Sequence, residues 1–206
     1  MFHLPLTEAD TLSLLAASYE AVVSRRNRVC RFDEYTERHL QRVAAILCRP
    51  SAKFGIIMGG TFGNGKTTMM YAIQKAVSVI DELGYFKRFM PARWRPHFEI
   101  HEAVDFEEII KDRQQFKRVA NIEILGIDDL GAQQNKVFDW GNVVEPIKRL
   151  LEHRYKHQLY TIITTNQTRA EMSRDINDGR IDDRMEEMFH RIGFSSEISY
   201  RRLNED

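Results

Sequence analysis

GGTFGNGKTT, residues 59 to 68, sets four glycines ahead of a single lysine and two hydroxyls. Within it Gly60, Gly65, Lys66 and Thr67 satisfy G-x-x-x-x-G-K-[ST] in full. The apolar run FGIIMG precedes it, read as a buried strand, and a helix from about Lys66 to Leu83 follows. Strand, glycine turn and helix N-terminus are what a phosphate-binding loop needs. Glycines let backbone amides curl around a phosphate, and the helix end adds its positive dipole. The span Gly60, Thr61, Phe62, Gly63, Asn64, Gly65, Lys66, Thr67 and Thr68 is therefore the candidate triphosphate cradle. Lys66 is expected at the β- and γ-phosphates and the Thr67 hydroxyl on Mg²⁺, with ATP as the nucleotide.

The flanks set the fold class. HFEIHEAV, IEILGID and LYTIITT read as further strands, and Phe106 to Val119, the stretch VVEPIKRLLEHRYKHQ and the span from Arg169 to about Arg191 read as helices. SSEISYR is a candidate closing strand. Strands alternating with helices predict an α/β protein with a parallel sheet. Ahead of it, residues 7 to 49 read as two helices broken at SRRNRVCR, with Thr7 and Asp10 at the first start and Leu12, Leu15, Ala16, Tyr19 and Val23 at helical spacing. The expected organisation is an N-terminal helical appendage over 1–50 and a P-loop domain over 51–206.

Composition narrows the setting. The 206 residues are 43% hydrophobic, and 30 basic residues balance 30 acidic ones, so any nucleic-acid contact must come from a local patch. Cys30 and Cys48 form neither a metal-ligand spacing nor a disulfide framework. No run approaches the roughly 18 apolar residues of a membrane span. A cytoplasmic protein without membrane contact is expected. His153 and His157 stand one helical turn apart, with no acidic or cysteine ligand placed to complete a metal site.

Two polar strand ends carry the remaining chemistry. ILGIDDLG closes a strand with adjacent carboxylates: Asp128 as a magnesium ligand, Asp129 to orient or deprotonate an attacking water. TIITTN repeats the device, and Asn166 is placed to sense the γ-phosphate or that water. The guanine-reading N-K-x-D segment of a GTPase is missing. Two other uses of the loop stand as alternatives. A small-molecule kinase would need a lid, for which Arg169, Arg174 and Arg180 are candidates; a nucleotide-gated scaffold would bind ATP and scarcely hydrolyse it.

GTFGNGKTT, ILGIDDLG, LEHRYKHQLYTIITTN, GRIDDRMEEMF and the final SYR occur in an order that resembles the DnaC and IstB group of AAA+ ATPases, over about Phe32 to Arg201. That resemblance implies a five-stranded parallel sheet flanked by helices, without a substantial C-terminal lid. It implies slow ATP hydrolysis stimulated by assembly or by a partner, in helicase loading for DNA replication or in helping a transposase. Arg184 matches the arginine finger that reaches a neighbouring subunit's γ-phosphate, Arg180 could assist it, and Arg201 matches the sensor arginine acting within its own subunit. The implied partners are further copies of the chain, a replicative helicase or transposase, and single-stranded or duplex DNA. The catalytic carboxylate is Asp rather than the usual Glu, a departure that leaves the rate open.

Two basic stretches remain. YFKRFMPARWRPH interleaves Tyr85, Phe86, Phe89 and Trp94 with Lys87, Arg88, Arg93 and Arg95, either for stacking on single-stranded nucleic acid or with its rings in the core. Arg25, Arg26, Arg28 and Arg31 read as a contact for DNA or a partner, or as a solvated turn.

Overall fold

The structure is a computed structural model and describes residues 2–89, 96–133, 135–139, 142–176 and 178–194. In chain order its elements are α1 (Glu8–Ser24), α2 (Glu34–Cys48), β1 (Gly55–Gly59), α3 (Lys66–Glu82), α4 (Tyr85–Phe89), β2 (Phe98–Glu102), a 3₁₀ turn (Ala103–Asp105), α5 (Phe106–Ile109) and α6 (Arg113–Ala120). Then come β3 (Ile124–Leu130), β4 (Val137–Asp139), β5 (Asn142–Val144), α7 (Pro146–Lys156), β6 (Tyr160–Thr165), α8 (Arg169–Ile176), α9 (Gly179–Met188) and β7 (His190–Gly193).

A five-stranded sheet runs in the order β2-β3-β6-β1-β7, with parallel ladders between β2 and β3, β3 and β6, and β6 and β1. Its central strands are buried along their length, as parallel strands covered on both faces require: Ile56, Ile57, Met58, Ile124, Leu125, Ile127, Ile162 and Ile163 form the middle of the core. The α/β fold expected from sequence is thus the fold observed. Most of the sheet belongs to a compact unit formed by Ala52–Gly59 and Phe98–Arg191. A second compact unit comprises the described parts of Met1–Ser51, Gly60–His97 and Ile192–Asp206.

Several boundaries differ from expectation, each for a local reason. The helix predicted over Phe106 to Val119 breaks in two, because the Asp112 side chain accepts from Gln114 N and Gln115 N and starts α6 afresh. Val143 and Val144 join a β4–β5 hairpin, and α7 begins at Pro146, which suits a first helical position that needs no donor. The long tail helix is two helices. Asp178 caps α9 through Arg180 N, and the chain then forms edge strand β7 where the helix was expected to run on. SSEISYR lies outside the described residues. In α1 the buried stripe is Thr11, Leu15, Ser18, Tyr19 and Val22, one position off the predicted face at Leu12, Ala16 and Val23.

Arg154 is the most unusual core residue. Its side chain is wholly buried, and its guanidinium donates to three backbone carbonyls, Ala120 at 3.1 Å, Ile122 at 2.9 Å and Tyr160 at 2.6 Å, and to Thr161 Oγ1 at 2.8 Å. These acceptors lie at the approach to β3 and the start of β6, so one planar fork clips the two strands at their entry ends. Burial pulls its pKa down to about 9. Replacing it by methionine leaves three buried carbonyls without donors, at about 1–3 kcal/mol each. Arg154→Met is expected to lower unfolding stability by roughly 3 kcal/mol or more in a urea titration, and Arg154→Lys to recover only part of that.

In the other unit His39 of α2 stacks on Phe194, ring centroids 4.0 Å apart, with Nε2 at 3.1 Å from the Gly193 carbonyl. Burial lowers its pKa from the ordinary value, outweighing the carbonyl and Asp33, which raise it. The unfolded chain therefore binds the proton at higher pH than the folded one. Stability present above about pH 6.5 should be lost as pH falls below it. A plot of melting temperature against pH is expected to slope downward on the acid side and to flatten there in His39→Gln.

Candidate functional site

The glycine loop follows β1 without an intervening residue. Gly60 has φ +149°, and a Cβ there would lie 1.9 Å from the Phe194 carbonyl oxygen. Gly65, the N-cap of α3, has φ +83°, and a Cβ there would lie 2.6 Å from the Tyr19 hydroxyl. Both positions exclude a side chain on conformation and on space. No side chain caps α3, so its first amides are presented without a competing internal acceptor from Gly65. Lys66 is buried, with Nζ donating to the Gly60 and Thr61 carbonyls, each at 2.7 Å. Its ammonium is therefore held over the loop it follows. Asn64 serves the loop's own shape: its Nδ2 donates to Thr61 Oγ1 at 2.8 Å and to the Phe194 carbonyl at 2.9 Å. Phe62 projects outward, 67% exposed, and Thr68 Oγ1 accepts from Arg26 at 3.4 Å. Left-handed glycines, an uncapped helix start and one ammonium fit a polyphosphate.

The acidic pair is built by a bulge. Ile127 pairs with Ile163 and Leu130 with Thr165, so β3 advances three residues while β6 advances two. The extra residue leaves Asp129 in the left-handed region at φ +55°, which Asp tolerates better than most side chains. Strand alternation is broken there. Asp128 stays buried at 9% exposure while its neighbour Asp129 is exposed.

The end of β6 repairs what the bulge disrupts. Thr164 Oγ1 accepts from Asp129 N at 2.8 Å and donates to Asp128 Oδ1. Thr165 Oγ1 donates to the Leu130 carbonyl at 2.6 Å, and Asn166 Nδ2 to Asp129 Oδ1 at 2.6 Å. The three residues read from the two strand ends, Asp128, Asp129 and Asn166, therefore form one connected group with Thr164 at its centre. That threonine was missed in the sequence, where TTN drew attention only to its last residue. The available signal was a hydroxyl two positions before Asn166 on a strand paired with the acidic one.

Register brings the ends of β1, β3 and β6 to one edge of the sheet. Gly59 pairs with Thr165 on one side of β6, and Leu130 pairs with Thr165 on the other. The last residue before the glycine loop, the acidic pair and Asn166 thus leave the sheet at the carboxyl ends of adjacent strands, where ligands of α/β sheets bind.

The remaining predicted residues lie elsewhere or outside view. Arg184 on α9 is one-third exposed, with Nη1 3.4 Å from Glu152 and its guanidinium 5.2 Å from the Tyr155 ring centroid. Tyr155 in turn donates to Glu187 at 2.5 Å. Arg180 is 86% exposed. Arg201 and Trp94 fall outside the described residues, and so do Arg93 and Arg95. Phe86 is fully buried, which removes one ring from the predicted stacking stretch, while Tyr85 remains 39% exposed.

Thr164→Val keeps the side chain's shape and deletes both hydrogen bonds. It is expected to reduce nucleotide turnover by one to two orders of magnitude with nucleotide affinity changed less than threefold, since the carboxylates lose their anchor but the glycine loop is untouched. Thr164→Ser should restore most of the rate. A large loss of affinity with turnover intact would contradict this role.

No protein-family model matches the chain, and no curated protein matches it in sequence. Solved structures match in fold. A crystal structure of the DnaC helicase loader is 21% identical with a TM-score of 0.59, covering 81% of this chain and 93% of that one. A crystal structure of DnaI is 17% identical with a TM-score of 0.58, covering 82% and 86%. AMPPCP-bound DnaA from Aquifex aeolicus is 13% identical with a TM-score of 0.52, covering 79% of this chain and 48% of that one. Set beside the sheet order and the strand–loop–helix start, these likenesses show that the chain shares the α/β fold of these three structures.

Proposed function

We propose that this chain is an ATP-binding and -hydrolysing AAA+ ATPase that acts in DNA replication as a helicase loader, through nucleotide-dependent assembly. The observation that supports the reading is the shared sheet edge: Gly59, Leu130 and Thr165 are in register, so the strand that leads into the glycine loop ends level with the strands that carry the acidic pair and Asn166. The names of the DnaC and DnaA structures, a helicase loader and an AMPPCP complex, support the choice of job and nucleotide.

Residues 60–68 would cradle the phosphates, with Lys66 on the β- and γ-oxygens and Arg201 as a further nucleotide contact. Thr67 and Asp128 would hold Mg²⁺, which when bound neutralises charge on the phosphate oxygens. Asp129, exposed and fixed by Asn166 and Thr164, orients or deprotonates the attacking water, and Asn166 reports the γ-phosphate. Its held position is an advantage for a short carboxylate: Asp129 reaches less far than Glu, but the bulge turns it outward. Arg184, one-third exposed on α9 beside Glu152 and Tyr155, is supplied to a neighbouring subunit, where a guanidinium stabilises the charge spreading over the transferred oxygens. Hydrolysis then depends on assembly. The client is a replicative helicase, with DNA as the shared template; the transposase-helper reading uses the same site.

Two inactive variants provide the test. Lys66→Ala retains the finger and loses the cradle; Arg184→Ala retains the cradle and loses the finger. Each alone is expected to hydrolyse Mg²⁺-ATP at least tenfold more slowly than the parent, and an equimolar mixture to regain a substantial fraction of the rate. A parent rate per subunit that stays constant on dilution, together with an inactive mixture, would overturn assembly through Arg184. Full activity of Asp129→Ala would remove that residue from the chemistry.

A further inference from the structure

The glycine loop is backed by parts of the chain that its motif does not contain. Gly60 and Gly65 are each closed off on the side where a side chain would stand, and by different elements. At Gly65 that space belongs to the hydroxyl of Tyr19 from α1, 2.6 Å from the place of a Cβ. At Gly60 it belongs to the backbone of Phe194, just past β7, whose carbonyl carbon and oxygen would lie 2.7 and 1.9 Å from a Cβ. Tyr19 and Phe194 are both buried, so neither is a passing surface contact. Both helices, the loop and residues 192–194 belong to the same compact unit.

Phe194 is itself held from two sides. Its carbonyl accepts from Asn64 Nδ2 of the loop at 2.9 Å, and its ring stacks on His39 of α2, 4.0 Å between centroids and 15° between planes. His39 Nε2 lies 3.1 Å from the carbonyl of Gly193, which can only accept, so the ring nitrogen donates. α2, the end of β7 and the loop are thus joined in series: His39 to Gly193 and Phe194, and Phe194 to Asn64 and Gly60. α1 supports the other end, where Tyr19 meets Gly65 and Arg26, just beyond the helix, reaches Thr68 Oγ1 at 3.4 Å. Packing alone would be satisfied by phenylalanine at 19 and leucine at 39. The hydroxyl and the ring nitrogen are what packing leaves over.

A glycine-rich loop must hold several amides in one arrangement before a phosphate arrives, and glycine loses more freedom in doing so than any other residue. Contacts that fix the loop beforehand raise affinity by raising the fraction of molecules ready to bind. On the basis of the nucleotide site proposed above, we infer that Tyr19 and His39 are positioning residues for the phosphate loop, acting through Gly65 and through Phe194, so that the two N-terminal helices set nucleotide affinity from outside the motif. Such coupling is reciprocal: nucleotide in the loop steadies α1 and α2 in turn.

Calorimetric titration with AMPPCP and Mg²⁺ tests the assignment on the full chain. Tyr19→Phe loses one oxygen; His39→Leu loses the donor and the stack. Each is expected to weaken binding roughly three- to tenfold, the scale of a lost hydrogen bond. Turnover at saturating ATP should stay within about twofold of the parent, a split that marks lost binding rather than lost chemistry. His39→Gln still offers Gly193 a donor and should recover part of the affinity. In hydrogen exchange, AMPPCP should slow the amides of Glu34–Cys48 in the parent, and in His39→Leu should protect the loop alone. Should His39→Leu fail to fold, Tyr19→Phe decides. Lower melting temperatures with parent-like affinity well below them would show a merely structural role and overturn the assignment, leaving the nucleotide site standing. No binding by the parent would remove the site and the assignment together.

Discussion

One hydroxyl ties the acidic pair of β3 to the end of β6. Thr164 Oγ1 accepts from the backbone of Asp129 and donates to the side chain of Asp128, across a bulge that displaces β3 by one residue against β6. Without the bulge, strand alternation would send consecutive carboxylates to opposite faces of a buried sheet. With it, one aspartate stays within the strand edge while the next turns outward into a conformation few side chains adopt. A left-handed Asp costs of order 1 kcal/mol or more. The hydrogen bonds from Thr164, Thr165 and Asn166 offset that cost and replace the ladder contacts that the bulge forfeits.

The same economy appears at the far end of the strands. Arg154 satisfies carbonyls where β3 and β6 enter the sheet, and the Thr164 group fastens them where they leave. The two strands that bear the acidic pair and Asn166 are thus fixed at both ends, which sets their side chains on rigid elements. Arg154 and Tyr155 are neighbours in sequence with separate tasks. One is sealed in the core; the other carries Arg184 against its ring and anchors Glu187.

Much of this was legible in the residues. Apolar runs bounded by glycine or by helical periodicity identify β1, β2, β3 and β6, and the loop motif locates itself because its physics requires a strand before and a helix after. The bulge was not legible. ILGIDDL reads as an uninterrupted strand, and only pairing with β6 reveals the extra residue. Arg154 was hidden for the opposite reason: arginine in a charged helix reads as surface, and its burial depends on carbonyls supplied by two other segments. The break at Asp112 and the end of the tail helix at Met188 show local caps overriding a helical pattern. Phe86 shows the core claiming a ring that stood in a basic run.

A structure determined with AMPPCP and Mg²⁺ bound is the most direct measurement of the account. It should place the metal between the Thr67 hydroxyl and Asp128, with Asp129 and Asn166 turned toward the γ-phosphate and the Thr164 hydrogen bonds intact. A nucleotide seated in the glycine loop with its metal and terminal phosphate remote from Asp128 would contradict it.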